Sequence, residues 1–143
     1  MQELNYWQRL EQLDLYSLER RRDRYFVIYV WKIINGHAPN FENMPIETRQ
    51  SGRRGLTCTV PPRASIPGRI QTLKEDSFMV HGPRLFNEIP KDLREFAGSP
   101  DTFKAKLDSY LGTVPDKPAL PHYSQQAAGN GLREQLAQQR RNN

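Results

Sequence analysis

Cysteine is nearly absent: Cys58 is the only one, so the chain can form no internal disulfide and no multi-cysteine zinc site, which fits a reducing compartment. Long apolar runs are missing too. The longest, Tyr25 to Trp31, is bracketed by Arg24 and Lys32 and falls far short of the roughly 20 residues that cross a bilayer. The first residues lack the apolar core of a secretory signal. The expectation is an intracellular protein, in nucleus or cytoplasm, with no membrane partner. No two aspartates are adjacent, which removes the carboxylate pair with which a polymerase or nuclease grips divalent metals. Asp14, Asp23, Asp76, Asp92, Asp101 and Asp108 read instead as caps, turn formers and helix-face charges. His37, His81 and His122 stand far apart with no partner at metal-ligand spacing, and no glycine-rich phosphate loop is present. These gaps argue against an enzyme and against any metal or cofactor.

One absence is local. Between Thr48 and Lys74 there is no aspartate or glutamate, while Arg49, Arg53, Arg54, Arg63, Arg69 and Lys74 all fall there. The net charge is +5 from 21 cations and 16 anions, so outside this stretch 15 cations face 16 anions and the chain is almost neutral. A concentrated positive excess fits a nucleic-acid backbone better than a diffuse one does.

What is present suits one small core. At 143 residues there is room for a single ordinary domain, and 36% hydrophobic residues with a mean hydropathy of −0.80 leave part of the chain without enough apolar surface to fold. Leu4, Trp7, Leu10 and Leu13 recur at three-residue spacing and predict an amphipathic helix over about Leu4 to Leu13 that buries one stripe. Ser17 is placed to cap a second helix running to about Asn35, with Gly36 as its stop and Pro39 beyond. Its first turns are charged; Tyr25 to Ile34 is apolar nearly all round, the mark of a central buried helix. At 100° per residue, Arg20, Arg21, Arg24 and Lys32 share an arc with Trp31 and Ile28 interleaved, and this arc is a candidate phosphate-facing surface. Arg22 falls on the stripe of Leu18, Tyr25 and Tyr29, where it snorkels outward or pairs with Glu19.

No periodicity holds from His37 to about Leu56, which reads as a mobile basic loop. Leu56 to Val60 alternates like a short strand ended by Pro61 and Pro62, with Ser77 to His81 as its expected partner. Cys58 in that strand reads as a small buried apolar residue. Pro83 is expected in the first turn of a short helix carrying Leu85, Phe86 and Ile89, and Leu93 and Phe96 form a further turn after Pro90. Ser99 as cap and Pro100 at the first helical position open a helix with Phe103, Leu107, Tyr110 and Leu111 on one face and Gly112 at its end. The fold class expected is mainly α: a helical unit of about four helices over residues 1–112, with a minor two-stranded β element. Residues 113–143, rich in proline and glutamine, read as a flexible tail with room for a frayed helix around Leu132 and Leu136.

Three blocks carry a resemblance. The first is Tyr6-Trp7-Gln8-Arg9-Leu10, then Leu15-Tyr16-Ser17-Leu18-Glu19-Arg20-Arg21-Arg22-Asp23-Arg24-Tyr25, then Tyr29-Val30-Trp31-Lys32-Ile33. The second runs from Ser77-Phe78-Met79-Val80-His81-Gly82-Pro83 to Ile89-Pro90. The third is Asp101-Thr102-Phe103-Lys104 to Asp108, with Leu111 to Pro118 after it. Together they resemble, in order, the region after the reverse transcriptase domain in jockey-like, LINE-type non-LTR retrotransposon polyproteins. That resemblance implies a parent with an endonuclease and an RNA-directed DNA polymerase, of which this chain is a non-catalytic C-terminal segment. It implies RNA or DNA and the parent's reverse transcriptase domain as partners. No catalytic residue carries over, because the polymerase's metal-binding aspartates have no counterpart here.

The residues expected to meet nucleic acid are therefore Arg20, Arg21, Arg24 and Lys32 on the second helix and Arg49, Arg53, Arg54, Arg63, Arg69 and Lys74 in the basic stretch. Trp31 or Tyr16 stacking on a base is the lesser expectation, since aromatics at helical spacing are more often core. Two competing readings remain: a segment that only packs against the polymerase, with its arginines paired to acids such as Glu19 and Asp23, and a relic fragment without independent function.

Overall fold

The computed structural model describes residues 3–39, 46–60, 68, 70, 77–116 and 131–142. In chain order these form α1 (Tyr6–Leu13), α2 (Leu18–Ile34), β1 (Thr48–Ser51), β2 (Gly55–Cys58), α3 (Phe78–Glu88), α4 (Lys91–Arg94), α5 (Pro100–Leu111) and α6 (Leu132–Asn142). The fold is mainly helical with one two-stranded antiparallel sheet, as the sequence implied. Among the described residues no helix is long and apolar enough to cross a membrane.

α2 is the central helix. Val27, Val30 and Trp31 are completely buried, and they share one core cluster with Leu85 and Phe86 of α3, Phe103, Leu107 and Leu111 of α5, and Leu132 and Leu136 of α6. The helix starts where the sequence put it: the Ser17 side chain accepts from Arg20 N at 3.1 Å, and Asn35 follows the last turn with Gly36 at φ +75°. α5 also begins as read, with Ser99 accepting from Thr102 N and Pro100 in the first turn.

Four expectations are corrected. Leu18 and Tyr25 are 68% and 63% exposed, so the stripe they share with Arg22 faces solvent, and Arg20 lies on the buried side instead. α1 starts at Tyr6 and has no buried residue, although Asn5 and Gln8 cap it reciprocally at 2.9 and 3.0 Å. Ser77 to His81 is no strand: from Phe78 it is the first turn of α3. The sequence Val-His-Gly-Pro suggests a strand end, but the helix puts Val80, Gly82, Leu85 and Phe86 together on its buried side, with Gly82 so close to its neighbours that an added Cβ would sit 3.0 Å from Phe78 Cε2 and 3.1 Å from Val30 Cγ2 of α2. Pro83, inside α3 and buried, removes one backbone bond while Val80, Leu85 and Phe86 enter the core.

The fourth correction concerns residues 113–143. Val114 is buried, and α6 sets Leu132 at 0% and Leu136 at 7% exposure, so the described parts of this region belong to the helical body. The buried Asp23 carboxylate fastens α6: it accepts from Leu132 N at 2.9 Å, an anion at a helix N-terminus, and its other oxygen lies 3.0 Å from His81 Nε2 on α3. One side chain thus ties three helices.

Candidate nucleic-acid interface

The strand Leu56 to Val60 finds its partner upstream. β1 and β2 pair antiparallel with Thr48 opposite Cys58, Arg49 opposite Thr57, Gln50 opposite Leu56 and Ser51 opposite Gly55. Much of the expected basic loop is therefore an ordered hairpin whose connection is Gly52-Arg53-Arg54. Gly55 closes it at φ +69°, in the left-handed region that side chains other than glycine's occupy at a cost. A Cβ there would also collide with the Glu95 carboxylate and the Lys91 side chain.

A two-stranded ribbon is marginal alone, and this one is held by α3 and α4. Asn87 pairs with the backbone of Cys58 in both directions, accepting from its N at 2.7 Å and donating to its O at 2.9 Å. Arg94, 7% exposed, donates from Nε to Leu56 O at 2.7 Å, from Nη2 to Arg54 O at 2.5 Å, and from Nη1 to Ile89 O. Burial, and then the charge of Arg54, lower its pKa from the ordinary value. Glu95 accepts from Leu56 N at 3.1 Å and from Gln50 Nε2 at 3.4 Å. The hairpin is an anchored arm. Cys58, the last residue of β2, is 4% exposed, with its thiol pushed up to about 12 chiefly by burial, so it has no reactive thiolate near neutral pH.

The arm presents Arg49, Arg53 and Arg54, all exposed and without an ion pair to any described residue. Lys91, also exposed, lies beside Gly55 at the arm's base. The α2 arc is not joined to this surface as a single basic face. Arg20 is completely buried: its Nη1 donates to Val114 O at 3.2 Å and its Nη2 to Pro115 O at 2.7 Å, with Asp116 Oδ1 3.9 Å from Nε. Burial lowers its pKa, and the Asp116 and Asp23 carboxylates work the other way. Arg24 is half-buried and grips Asp108 with two bonds, 2.6 and 2.9 Å. Neither guanidinium is open to a phosphate. Arg21 is exposed and Lys32 half-buried; Arg63, Arg69 and Lys74 lie outside the described residues.

Trp31 is core, stacked on Phe103 with centroids 4.4 Å apart. Tyr16 is half-buried near Asp108, its hydroxyl proton held more tightly by burial and by that carboxylate. Arg22 is exposed, with no ion pair to Glu19 among the described residues, and burial together with Asp23 and Glu134 raises the Glu19 pKa. Sequence reasoning missed Asn87, Arg94 and Glu95, whose partners sit up to 45 residues away. Among the described residues no group of three or more histidines, cysteines and carboxylates is placed to hold a metal. No family model matches this chain, and neither a curated protein nor a solved structure was found to match it.

Proposed function

We propose that this chain is the non-catalytic C-terminal segment of a non-LTR retrotransposon RNA-directed DNA polymerase and helps its parent hold RNA or target DNA, with the β1–β2 hairpin as the contacting arm. The observation that carries this reading is the anchored hairpin with three exposed arginines that have no ion pair to a described residue, in a stretch free of acids. A two-stranded ribbon fits the roughly 12 Å wide major groove of duplex DNA, and fixed guanidiniums lose less entropy on meeting phosphates than those of a loose loop. The three sequence blocks supply the polymerase context. Catalysis of reverse transcription belongs, in this reading, to the parent's other domains.

A second reading, a segment that only packs against the polymerase, is favoured by one observation: Arg20 and Arg24 are consumed inside the chain. The two readings diverge on salt. Titrating the folded chain against labelled single-stranded RNA and duplex DNA at several salt concentrations is expected to show affinity that falls steeply with salt, from release of counterions at each phosphate contact. In the double variant Arg53→Ala with Arg54→Ala, the log–log slope should flatten by up to about one unit per lost contact. An unchanged slope removes the hairpin from the interface, and negligible affinity at low salt leaves the packing reading in its place.

A further inference from the structure

We propose that the solvent face of α2 is a stacking site for single-stranded nucleic acid, with Tyr25 as its platform and Arg21, Arg22 and Lys32 as its phosphate contacts. The inference rests on the nucleic-acid reading above and adds to the hairpin a second surface, one that tells a single strand from a duplex.

The basic arc expected on α2 divides in the fold. Arg20 and Arg24 turn to backbone carbonyls and to Asp108, whereas Arg21 and Lys32 stay on the outer side and are joined there by Arg22. At 100° per residue, Arg21, Lys32, Tyr25, Tyr29 and Arg22 fall within one arc of about 100°, and at 1.5 Å per residue they extend over about 16 Å of helix. Arg21 and Arg22 are exposed, Lys32 is half-buried, and none of the three forms an ion pair with a described residue. The acids of the helix stand outside this arc. Asp23 is buried and committed to His81 and Leu132 N. Glu19 is half-buried, its pKa raised chiefly by burial and drawn down in part by Arg22, with no ion pair between them.

Tyr25 departs from the rest of its run. Tyr25 to Ile34 supplies the centre of the core, yet the Tyr25 side chain is 63% exposed. Its ring is nevertheless seated: it lies nearly parallel to Tyr29, with centroids 6.2 Å apart and planes at 11°, and Tyr29 meets Phe78 of α3 edge-on at 5.2 Å. Phe26 closes the row against the same Phe78 at 5.4 Å. A ring supported in this way loses less conformational entropy on meeting a base than one that swings freely. Apart from Tyr29, no ring of a described residue packs on Tyr25, so its outer face is open.

Chemistry selects the occupant. Three cations with no acid among them call for an anion, and an open aromatic face between them favours an anion that carries flat rings. A single strand offers phosphates and unstacked bases together. In a duplex the bases already stack on one another, and their faces are not available to a side chain. An acidic peptide would meet the cations and leave the platform unused.

The test titrates the full chain with labelled oligothymidylate, an abasic deoxyribose-phosphate strand of the same length, duplex DNA and an oligoglutamate peptide. Oligothymidylate is expected to bind about ten-fold more tightly than the abasic strand, which keeps the charge and lacks the bases. Tyr25→Ala should weaken oligothymidylate binding about ten-fold and leave duplex binding unchanged, while Tyr25→Phe, which keeps the ring, should bind as the parent does. Arg21→Ala with Arg22→Ala should flatten the single-strand salt slope by up to about 1.4 units, at about 0.7 per lost phosphate contact. These positions are exposed, and circular dichroism should show each variant folded. Equal binding of the abasic strand, or tighter binding of the peptide, overturns the proposal. If Tyr25→Ala keeps full affinity while Arg53→Ala with Arg54→Ala lowers it, the α2 face is overturned and the hairpin reading stands. Negligible binding of every strand at low salt overturns both.

Discussion

Trp31→Ala is expected to cost about 4 kcal/mol of folding stability, within the range for emptying a large aromatic site in a core. Its side chain is completely buried, lies parallel to Phe103 at 4.4 Å and 7°, and is flanked by Phe96 at 6.2 Å and His37 at 5.4 Å. Its Nε1 donates to Phe96 O at 2.8 Å, so the truncation also strands a half-buried carbonyl. Because α2, α5 and the segment after α4 all converge on this ring, the residual cavity cannot close by moving one side chain. A domain of this size has on the order of 10 kcal/mol of stability to lose. Urea unfolding followed by circular dichroism should show a lower midpoint with an unchanged slope. An unmoved midpoint would contradict the central placement of α2.

Arg20→Met should cost about 3 kcal/mol, although arginine is usually a surface residue. The buried guanidinium satisfies Val114 O and Pro115 O and stands beside Asp116, which also accepts from Ser17 N and Ser17 Oγ, both at 2.7 Å. Methionine fills much of the same volume but leaves the Val114 and Pro115 carbonyls without their donor. The same change should leave the salt slope of nucleic-acid binding where it was, because Arg20 offers nothing to a phosphate. A variant that unfolds at the parent's midpoint yet binds with a flatter slope would return Arg20 to the surface.

These two side chains also mark how far the sequence could be read. Trp31 was legible as core because the run Tyr25 to Ile34 is apolar on nearly every side, and the caps Ser17 and Ser99 were legible because capping is chemistry between near neighbours. Arg20 was not. A helical wheel placed it beside Trp31 and Ile28, which signalled burial as much as a basic face, but its acceptors lie 94 and 95 residues away. The hairpin was half legible. Thr57 and Thr59 pointed to a strand, but β1 carries no apolar alternation, being Thr-Arg-Gln-Ser and exposed over its first three residues. Its pairing depends on Gly55, and its placement on Asn87, Arg94 and Glu95, none of which has a local signature. The region after Gly112 misled through composition: its proline and glutamine content made the helix around Leu132 and Leu136 read as frayed, whereas it packs into the core and is fastened at its start by the carboxylate of Asp23.

Helix α1 shows the converse case. The spacing of Trp7, Leu10 and Leu13 announces an amphipathic helix, and periodicity alone implies a buried stripe. The stripe exists, but among the described residues it is only partly covered: Trp7 and Leu10 are half-buried and Leu13 is 65% exposed.

The most direct measurement is amide chemical-shift mapping of the isotope-labelled chain with a short single-stranded RNA and, separately, a DNA duplex at low salt. The account predicts that the largest shifts fall on the β1–β2 hairpin, at Arg49, Arg53, Arg54 and their neighbours, with α1 unmoved. Shifts centred on α1, or no shifts at concentrations where the chain is folded, would contradict it.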